Sequence, residues 1–212
     1  MLNTVQIERY YNAEVAYQLR AFAKTKRYQI NEITPNLVTR FDPQRKEVEA
    51  FIAAVFYKTY GAKIISFMPD LVALRDQDGI LMAAFGMRKA AEETLFLEQY
   101  MDIPIEKLLS EKLHQTISRQ AITCIGNLAV SNPRNAGVLI AHIIQYSLDI
   151  GIEWCVATAH HSLQNGLIKG GRDVFPLHIA DKACLPASER DLWGHYYDKQ
   201  PEVVAIRGIA AA

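Results

Sequence analysis

The sequence lacks a long apolar segment, a signal-peptide pattern and an excess of charge of either sign. No stretch approaches the ~20 apolar residues of a membrane-spanning helix. The start, Met1 to Arg9, does not show the basic-then-apolar order of a secretion signal. Basic and acidic residues number 23 each, whereas nucleic-acid-binding proteins usually carry a basic excess. We therefore expect a cytoplasmic protein with no integral membrane segment and no nucleic-acid partner.

Cysteine is scarce, with three residues in 212 and no CxxC pair, so a disulfide framework is not expected. Cys124 and Cys155 lie within apolar stretches, which predicts buried free thiols. No HExxH motif occurs, and the adjacent His160 and His161 cannot face the same way, so no metal site is expected. A hydrophobic content of 50% predicts a folded core.

The most informative stretch runs from Ile122 to Gly171 and predicts the order strand, loop, helix, strand, helix. The first strand, 122–130, is mostly apolar, which predicts burial on both faces, and it ends at Ser131-Asn132-Pro133. The loop that follows carries Arg134 to Gly137 directly before a helix. The start of a helix has unpaired backbone N–H groups and a positive dipole end, so this loop can hold a phosphate or pyrophosphate. A loop that merely turns the chain and caps the helix is the alternative.

The remaining patterns predict further helices and strands around this unit. Asp76 to Gly79 separates two strand-like runs, 71–75 and 80–87, and indicates a hairpin. Helices are predicted at 4–24, from Asp42 or Pro43 to Tyr60, at 104–118, at 138–148, from Ser162 or Asn165 to Gly170, and at 187–192. The second of these has an apolar stripe and should end at Gly61; the stripe is Val48, Phe51, Ile52, Val55 and Phe56. Strands are predicted at 28–30 and 37–41 around a turn at Pro35, at 95–100, at 154–159, at 177–180 and at 203–206. Residues 1–27 would form an N-terminal helical arm, and residues 28–212 a single domain.

Several motifs in this order resemble the thermostable hemolysin family, which is itself similar to GNAT acyltransferases and acyl-homoserine lactone synthases. The matching segments are 95–100 with 104–106, 125–130, 154–159, 163–165 and 193–197. They span roughly residues 30 to 207. The resemblance implies an α/β fold of GNAT type, with a mixed, mostly antiparallel sheet flanked by helices. A family name and a fold do not by themselves fix the chemistry.

The resemblance also implies an acyl thioester donor, either acyl-coenzyme A or acyl-carrier protein. Arg134, Asn135, Ala136 and Gly137 would hold the donor phosphates. Leu128, Ala129 and Val130 would contact the donor through their main chain, and Asn165 would touch donor or acceptor, with helix capping as its alternative. The chain departs from the GNAT pattern in having Leu139 where a small residue is usual. It also has no Tyr in the helix of residues 162–170 to protonate the departing thiolate.

Glu98 is the first candidate for the proton acceptor in acyl transfer to an amine. A carboxylate in an apolar, strand-like segment would be partly buried, which raises its pKa toward a useful range. A salt-bridged or solvent-facing strand residue is the alternative. If the segment is a strand, Tyr100 shares a face with Glu98. Asp102 and Glu106 are weaker candidates, because Glu106 fits the first turn of a helix, where an acid favours the dipole.

Four other positions complete the candidate catalytic set. Asn127 interrupts the central strand and would bind substrate, or else make a structural hydrogen bond. Tyr196 or Tyr197, in the aromatic segment 193–197, would replace the missing helix Tyr, or else line the core or a pocket. His160 is an alternative base, although a loop histidine is the simpler interpretation.

The predicted activity is transfer of an acyl group to a small-molecule amine. One alternative is an autoinducer-synthase-like enzyme that uses S-adenosylmethionine. Another is a membrane-active hemolysin. A homodimer formed through the N-terminal helix is also compatible with the sequence.

Overall fold

A computed structural model of the chain describes residues 27–208. The helix predicted at 4–24 lies outside the described residues, so it and the boundary at residue 27 stay predictions. The contacts divide the described chain into two compact units. Unit 1 contains residues 27–86, 127–142 and 192–196, and unit 2 contains residues 87–126, 143–191 and 197–208.

Seven strands form a sheet in the order β1-β2-β3-β4-β5-β7-β6. They are β1 Thr34–Val38, β2 Asp70–Arg75, β3 Leu81–Lys89, β4 Ile122–Val130, β5 Trp154–Ala159, β6 Val174–Ile179 and β7 Glu202–Arg207. β4 and β5 are parallel, whereas β1 pairs with β2, β5 with β7 and β6 with β7 in antiparallel register. The predicted mixed, mostly antiparallel α/β sheet is therefore confirmed.

The helices within residues 27–208 follow the predicted order. They are α1 Arg45–Tyr60, α2 Ile105–Leu113, α3 Ala136–Asp149, α4 His161–Lys169 and the short α5 Ala187–Arg190. Gly61 ends α1, as predicted, because it adopts the left-handed conformation (φ 66°). α2 is shorter than predicted. His114 leaves the helix at φ 53°, and the Ser110 hydroxyl accepts the Ile117 N–H at 2.9 Å.

The ends of β1 were predicted wrongly. Residues Ile30–Glu32 form a 3₁₀ turn, and Pro35 lies inside β1 rather than in a turn before it. Because β1 is the edge strand of the sheet, Pro35 need not donate to a neighbour on both sides. The expectation that β4 is buried on both faces is also too simple, since Gly126 and Leu128 are half-buried.

Residues Phe96–Tyr100 form a 3₁₀ helix, so the strand predicted there is wrong. The short apolar run misled the prediction, because the segment is organised by polar contacts instead. The Glu98 carboxylate accepts the N–H of Leu95, three residues earlier, which holds a tight turn. With about three residues per turn, Glu98 and Tyr100 do not share a strand face.

The core of unit 1 is built on α1, whose apolar stripe was visible in the sequence. Val48, Phe51 and Ile52 are fully buried. At the start of α1, the buried Arg45 donates to the carbonyl oxygens of Met68 and Pro69, at 2.6 and 2.7 Å. The guanidinium thereby fixes the segment that enters β2.

In unit 2, Trp154 at the start of β5 packs against Phe175 of β6 with ring centroids 6.0 Å apart. Cys124 and Cys155 are buried and free, as predicted. Burial raises the pKa of both thiols, to about 12 for Cys124 and about 11 for Cys155, so neither is a ready thiolate at neutral pH.

Candidate functional site

The loop between β4 and α3 begins with a local turn built by Asn132. Its Oδ1 accepts the N–H of Arg134 at 3.0 Å, and its carbonyl accepts the N–H of Asn135 at 2.9 Å. A 3₁₀ turn, Pro133–Asn135, then leads directly into α3. We call residues 131–137 the donor loop. Its geometry puts the positive end of a 14-residue helix beside a basic side chain.

Arg134 and Gly137 are exposed on this loop. A Cβ built on Gly137 would meet no atom within 4 Å, so open space adjoins the backbone at the first turn of α3. An anion could therefore approach the helix start without displacing a side chain. Leu139 is buried, at 6% exposed, so the residue that departs from the family pattern faces the interior.

Asn135 is fully buried, unlike its neighbours on the donor loop. Its Oδ1 accepts the backbone N–H of Tyr28 at 3.0 Å. The Tyr28 hydroxyl in turn donates to Asp76 Oδ2 at 2.6 Å. Burial and the carboxylate of Asp76 raise the pKa of Tyr28, so its hydroxyl stays protonated. The Asn135 side chain is thus hydrogen-bonded within the protein. The predicted donor contact of Asn135 stays a prediction, now for its backbone.

Asn127 adopts a left-handed conformation (φ 50°) in β4, which Asn tolerates better than most residues. Its Oδ1 accepts the N–H of Met68 at 2.8 Å, so the structural alternative considered for this residue is realised. A Cβ on Gly86 would lie 2.8 Å from Met68 Cβ and 3.0 Å from Asn127 Oδ1. The close approach of these segments therefore requires a glycine at position 86.

The main-chain positions predicted to contact the donor, Leu128 to Val130, form the end of β4. Leu128 and Val130 are half-buried and Ala129 is buried. The strand end is fixed by Ser131, whose N–H and hydroxyl both donate to the Met82 carbonyl at 3.0 Å. A donor contact at this strand end stays a prediction.

In unit 2, Glu98 is the centre of a charged cluster. Its Oε1 accepts from Arg119 Nη1 at 2.7 Å and from the Ile105 N–H at 3.0 Å. Its Oε2 accepts from Arg119 Nη2 at 2.8 Å and from the Leu95 N–H at 2.7 Å. Arg119 Nη1 also reaches Glu106 Oε2 at 2.7 Å. The salt-bridged alternative for Glu98 is therefore realised, and Glu106 occupies the first turn of α2 as predicted.

The expectation that burial raises the pKa of Glu98 is wrong in its net direction. Burial does act to raise it, but hydrogen bonds from Arg119, Ile105 and Leu95 together outweigh that effect and lower the pKa below its ordinary value. A carboxylate with a lowered pKa is a weaker base. The role of Glu98 as proton acceptor stays a hypothesis, and its contacts favour a structural role.

Tyr100 and Tyr197 are 97 residues apart in the sequence, and their hydroxyl oxygens are hydrogen-bonded at 2.5 Å. Burial raises the pKa of Tyr197 to about 12, so its proton is retained at neutral pH. Tyr196 instead belongs to unit 1, where its ring packs against Tyr60 (5.2 Å between centroids) and Trp193 (5.3 Å). Of the two neighbours offered by the sequence, Tyr197 therefore accompanies the predicted Tyr100. Tyr196 is half-buried and packs against the core of unit 1, and its catalytic role stays a prediction.

α4 begins after His160, not at Ser162 or Asn165 as predicted. The Ser162 hydroxyl and His160 Nδ1 lie 2.8 Å apart, and burial lowers the pKa of His160. Asn165 is exposed in the middle of α4, so the capping alternative for it is wrong. Between residues 27 and 208, no group of three or more His, Cys, Asp or Glu residues could hold a metal ion.

Sequence reasoning missed Arg119, Tyr28 and His142. Arg119 lies 21 residues from Glu98, and no local pattern links them. His142, on α3, is buried, and its ring hydrogen-bonds the backbone of Ile30. A buried histidine on an apolar helix face was the available signal, but it does not identify the partner.

None of the helices within residues 27–208 has the length and apolar character needed to cross a membrane.

The model of the thermostable hemolysin family matches residues 38–211 of this chain. No curated protein sequence matches the chain. Among solved structures, the chain is similar to the AHL synthase LasI, with a TM-score of 0.54 and 12% identity over 84% of this chain and 91% of that chain.

Two further structures are similar to the chain. FeeM, an N-acyl amino acid synthase from uncultured soil microbes, has a TM-score of 0.50 and 9% identity over 82% of this chain and 88% of that chain. BjaI, a CoA-dependent acyl-homoserine lactone synthase solved with SAM and isopentyl-CoA, has a TM-score of 0.50 and 15% identity over 84% of each chain. At such low identities these likenesses establish the fold, and the GNAT-like architecture is confirmed.

Proposed function

The chain belongs to the thermostable hemolysin family, and from this premise we propose that it is an acyltransferase-like enzyme. It transfers an acyl group from a thioester donor, coenzyme A or acyl-carrier protein, to the amine of a small molecule. The proposal is supported by the fold, which the chain shares with LasI, FeeM and BjaI, all three described as synthases.

The donor loop is the observation that carries the proposal. Both donors present a phosphate-bearing pantetheine arm, and an anion is stabilised by the N–H groups and dipole at a helix start. Arg134 is exposed beside the start of α3, and open space adjoins Gly137. In the proposed complex, Arg134 and the backbone of Ala136 and Gly137 bind the donor phosphates, while Leu128 to Val130 offer main-chain groups to the pantetheine arm.

In the proposed reaction, the amine attacks the thioester carbonyl and a C–N bond forms as the oxyanion develops. Collapse of the oxyanion breaks the C–S bond, the amine loses a proton and the thiolate gains one. The group that protonates the thiolate stays the prediction made from the sequence, Tyr196 or Tyr197.

A second candidate function is synthesis of an acyl-homoserine lactone, with S-adenosylmethionine as the amine. It is favoured by the similarity to LasI and by the ligands of BjaI, SAM and isopentyl-CoA. The two candidates share the donor loop and differ in the acceptor. Binding of S-adenosylmethionine therefore separates them.

The test is calorimetric titration of the pure protein with coenzyme A, acetyl- and long-chain acyl-coenzyme A, and S-adenosylmethionine. Arg134→Ala should weaken coenzyme A binding by about 1.5–3 kcal/mol, or about ten- to a hundredfold, because a charge-assisted phosphate contact is lost. Lys46→Ala is the matched control, since it removes one exposed positive charge from the same unit. Equal affinities for the two variants would contradict the phosphate role. A failure of all four ligands to bind would leave a carrier-protein donor as the only form of the proposal to test.

A further inference from the structure

Residues 28–33 form a compact hook at the start of the described chain. The N–H of Gln29 donates to Glu32 Oε2 at 2.6 Å, and the N–H of Glu32 donates back to the Gln29 carbonyl at 3.2 Å. Tyr28 and Ile33 are buried, whereas the turn between them is largely exposed. The hook is thus closed on itself by local hydrogen bonds and contacts the rest of unit 1 through a few specific groups.

The hook is attached at three points in unit 1. The backbone N–H of Tyr28 donates to Asn135 Oδ1 on the donor loop, and the Tyr28 hydroxyl donates to Asp76 in the β2–β3 turn. The Ile30 backbone is hydrogen-bonded by the ring of His142, one and a half turns along α3 from the donor loop. Two of the three attachments are therefore to the donor loop and to the helix that it opens.

We propose that the hook positions the donor loop, so that docking of the hook and binding of the donor stabilise each other. This inference rests on the proposed function, because it takes the donor loop as the binding site for coenzyme A. Tyr28 and the side chain of Asn135 then act by positioning the donor loop and do not touch the donor.

The physical reason is the burial of Asn135. Its side chain is fully excluded from solvent, so water cannot replace the Tyr28 N–H if its hydrogen bond to Asn135 Oδ1 breaks. The donor loop cannot shift outward without breaking that hydrogen bond, and the hook cannot undock without breaking it as well. A ligand that holds the loop in its present conformation therefore opposes undocking of the hook.

Thermodynamic linkage makes the effect reciprocal. If a docked hook raises donor affinity by some factor, bound donor lowers the opening constant of the hook by the same factor. Hydrogen exchange measures that opening constant directly, because the Tyr28 N–H exchanges only when its bond to Asn135 opens. The expected slowing is about three- to tenfold, the size of one net hydrogen bond.

The experiment is hydrogen exchange of the full chain, followed at the Tyr28 N–H by NMR, without and with saturating coenzyme A. β6 in unit 2, residues Val174–Ile179, is the internal control. Slowing in the hook with a smaller or no change in β6 supports the inference. Equal slowing in both would reflect global stabilisation and would overturn it, as would unchanged exchange in the hook. Calorimetric absence of coenzyme A binding would instead defeat the coenzyme A form of the proposed function, on which this inference rests.

Two variants sharpen the result. Tyr28→Phe removes the bond to Asp76 but keeps the N–H to Asn135, so exchange should be faster in both states while the slowing by coenzyme A persists. Asn135→Ala removes the link to the donor loop, so coenzyme A should no longer slow exchange in the hook. Gln77→Ala, exposed in the same turn as Asp76, is the control and should behave like the unaltered chain. A ligand effect that survives Asn135→Ala would refute the link, and if that variant does not fold, the unaltered chain still decides between coupling and its absence.

Discussion

Replacing Glu98 by glutamine separates a structural from a catalytic role for the carboxylate. Glu98 accepts four hydrogen bonds, two from Arg119 and one each from the backbone N–H groups of Leu95 and Ile105. Its side chain is 10% exposed. Glutamine keeps one acceptor oxygen, and its NH₂ group must face donors at the other position. Glu98→Gln thus removes two of the four bonds and the charge that strengthens the rest.

Breaking a buried ion pair costs ~3–5 kcal/mol when one charge is left alone. Here Arg119 keeps its contact with Glu106, so the expected loss is near the lower end, about 3 kcal/mol. At ~2–4 °C per kcal/mol for a chain of this size, the melting temperature should fall by ~6–12 °C. Glu106→Gln is the matched control. It removes a more exposed carboxylate that contacts the same arginine through a single oxygen, and should cost about 0.5–1 kcal/mol.

The pH dependence gives a second readout. Because the pKa of Glu98 is lower in the folded than in the unfolded chain, its contribution is present above the ordinary value of 4.5 and is lost as pH falls through the folded pKa. The stability difference between the unaltered chain and Glu98→Gln should be constant near neutrality and shrink below about pH 4.5. Urea unfolding at several pH values measures it.

The outcome distinguishes the two roles of Glu98. If Glu98 is the proton acceptor, the Glu98→Gln variant should lose turnover while its free energy of unfolding and its coenzyme A affinity stay unchanged. If the carboxylate is structural, the variant should lose stability, and its turnover should fall only in proportion to the folded fraction. An unchanged free energy of unfolding would refute the structural role.

Three further predictions follow from single contacts in unit 1. Gly194→Ala should destabilise by about 2–3 kcal/mol in urea unfolding, because its Cβ would lie 2.1 Å from the Tyr60 carbonyl oxygen at a positive φ; a loss smaller than about 1 kcal/mol would contradict the close approach. Asn127→Ala should cost about 1–2 kcal/mol more than Asn127→Gly, because both lose the Met68 bond but only alanine strains the left-handed backbone; equal losses would contradict that strain. Burial lowers the pKa of His142, so its folded pKa lies below the unfolded value of about 6.5, and stability should decline as pH falls from there; His142→Gln should flatten the decline, and an identical slope would contradict it.

Local patterns were sufficient for the elements whose determinants are close in sequence. The stripe of α1 and its stop at Gly61 need only a few neighbouring residues, as does the hairpin turn that begins at Asp76. The order of strands and helices from Ile122 onward was also predicted correctly. In each of these cases the residues from which the type of element can be predicted belong to it or lie next to it.

Prediction failed where the deciding partner is distant. The short apolar run in 95–100 indicated a strand, but Arg119 and Ile105 contact Glu98 in a 3₁₀ helix. Nothing in Trp193-Gly194-His195-Tyr196-Tyr197 indicates which tyrosine faces Tyr100, because that depends on the fold of a segment 97 residues away. The same holds for Asn135, whose partner Tyr28 is 107 residues earlier.

The polar residues that interrupt apolar segments in this chain have a common property. Asn127 holds the backbone of Met68, Asn135 holds that of Tyr28, and Glu98 holds two backbone N–H groups. Each satisfies a main-chain donor from another segment, and a buried donor left without its acceptor costs ~1–3 kcal/mol. Loss of activity on replacing any of them therefore does not by itself assign a chemical role.

Arg134 is the better probe of function for the opposite reason. Its side chain is exposed, so replacing it removes a charge from the donor loop with little effect on packing. A change in coenzyme A affinity at Arg134, with the free energy of unfolding unchanged, would support donor binding in a way that Glu98, Asn127 and Asn135 cannot. A matching change at Lys46 would instead show that net charge, and not a built phosphate site, sets the affinity.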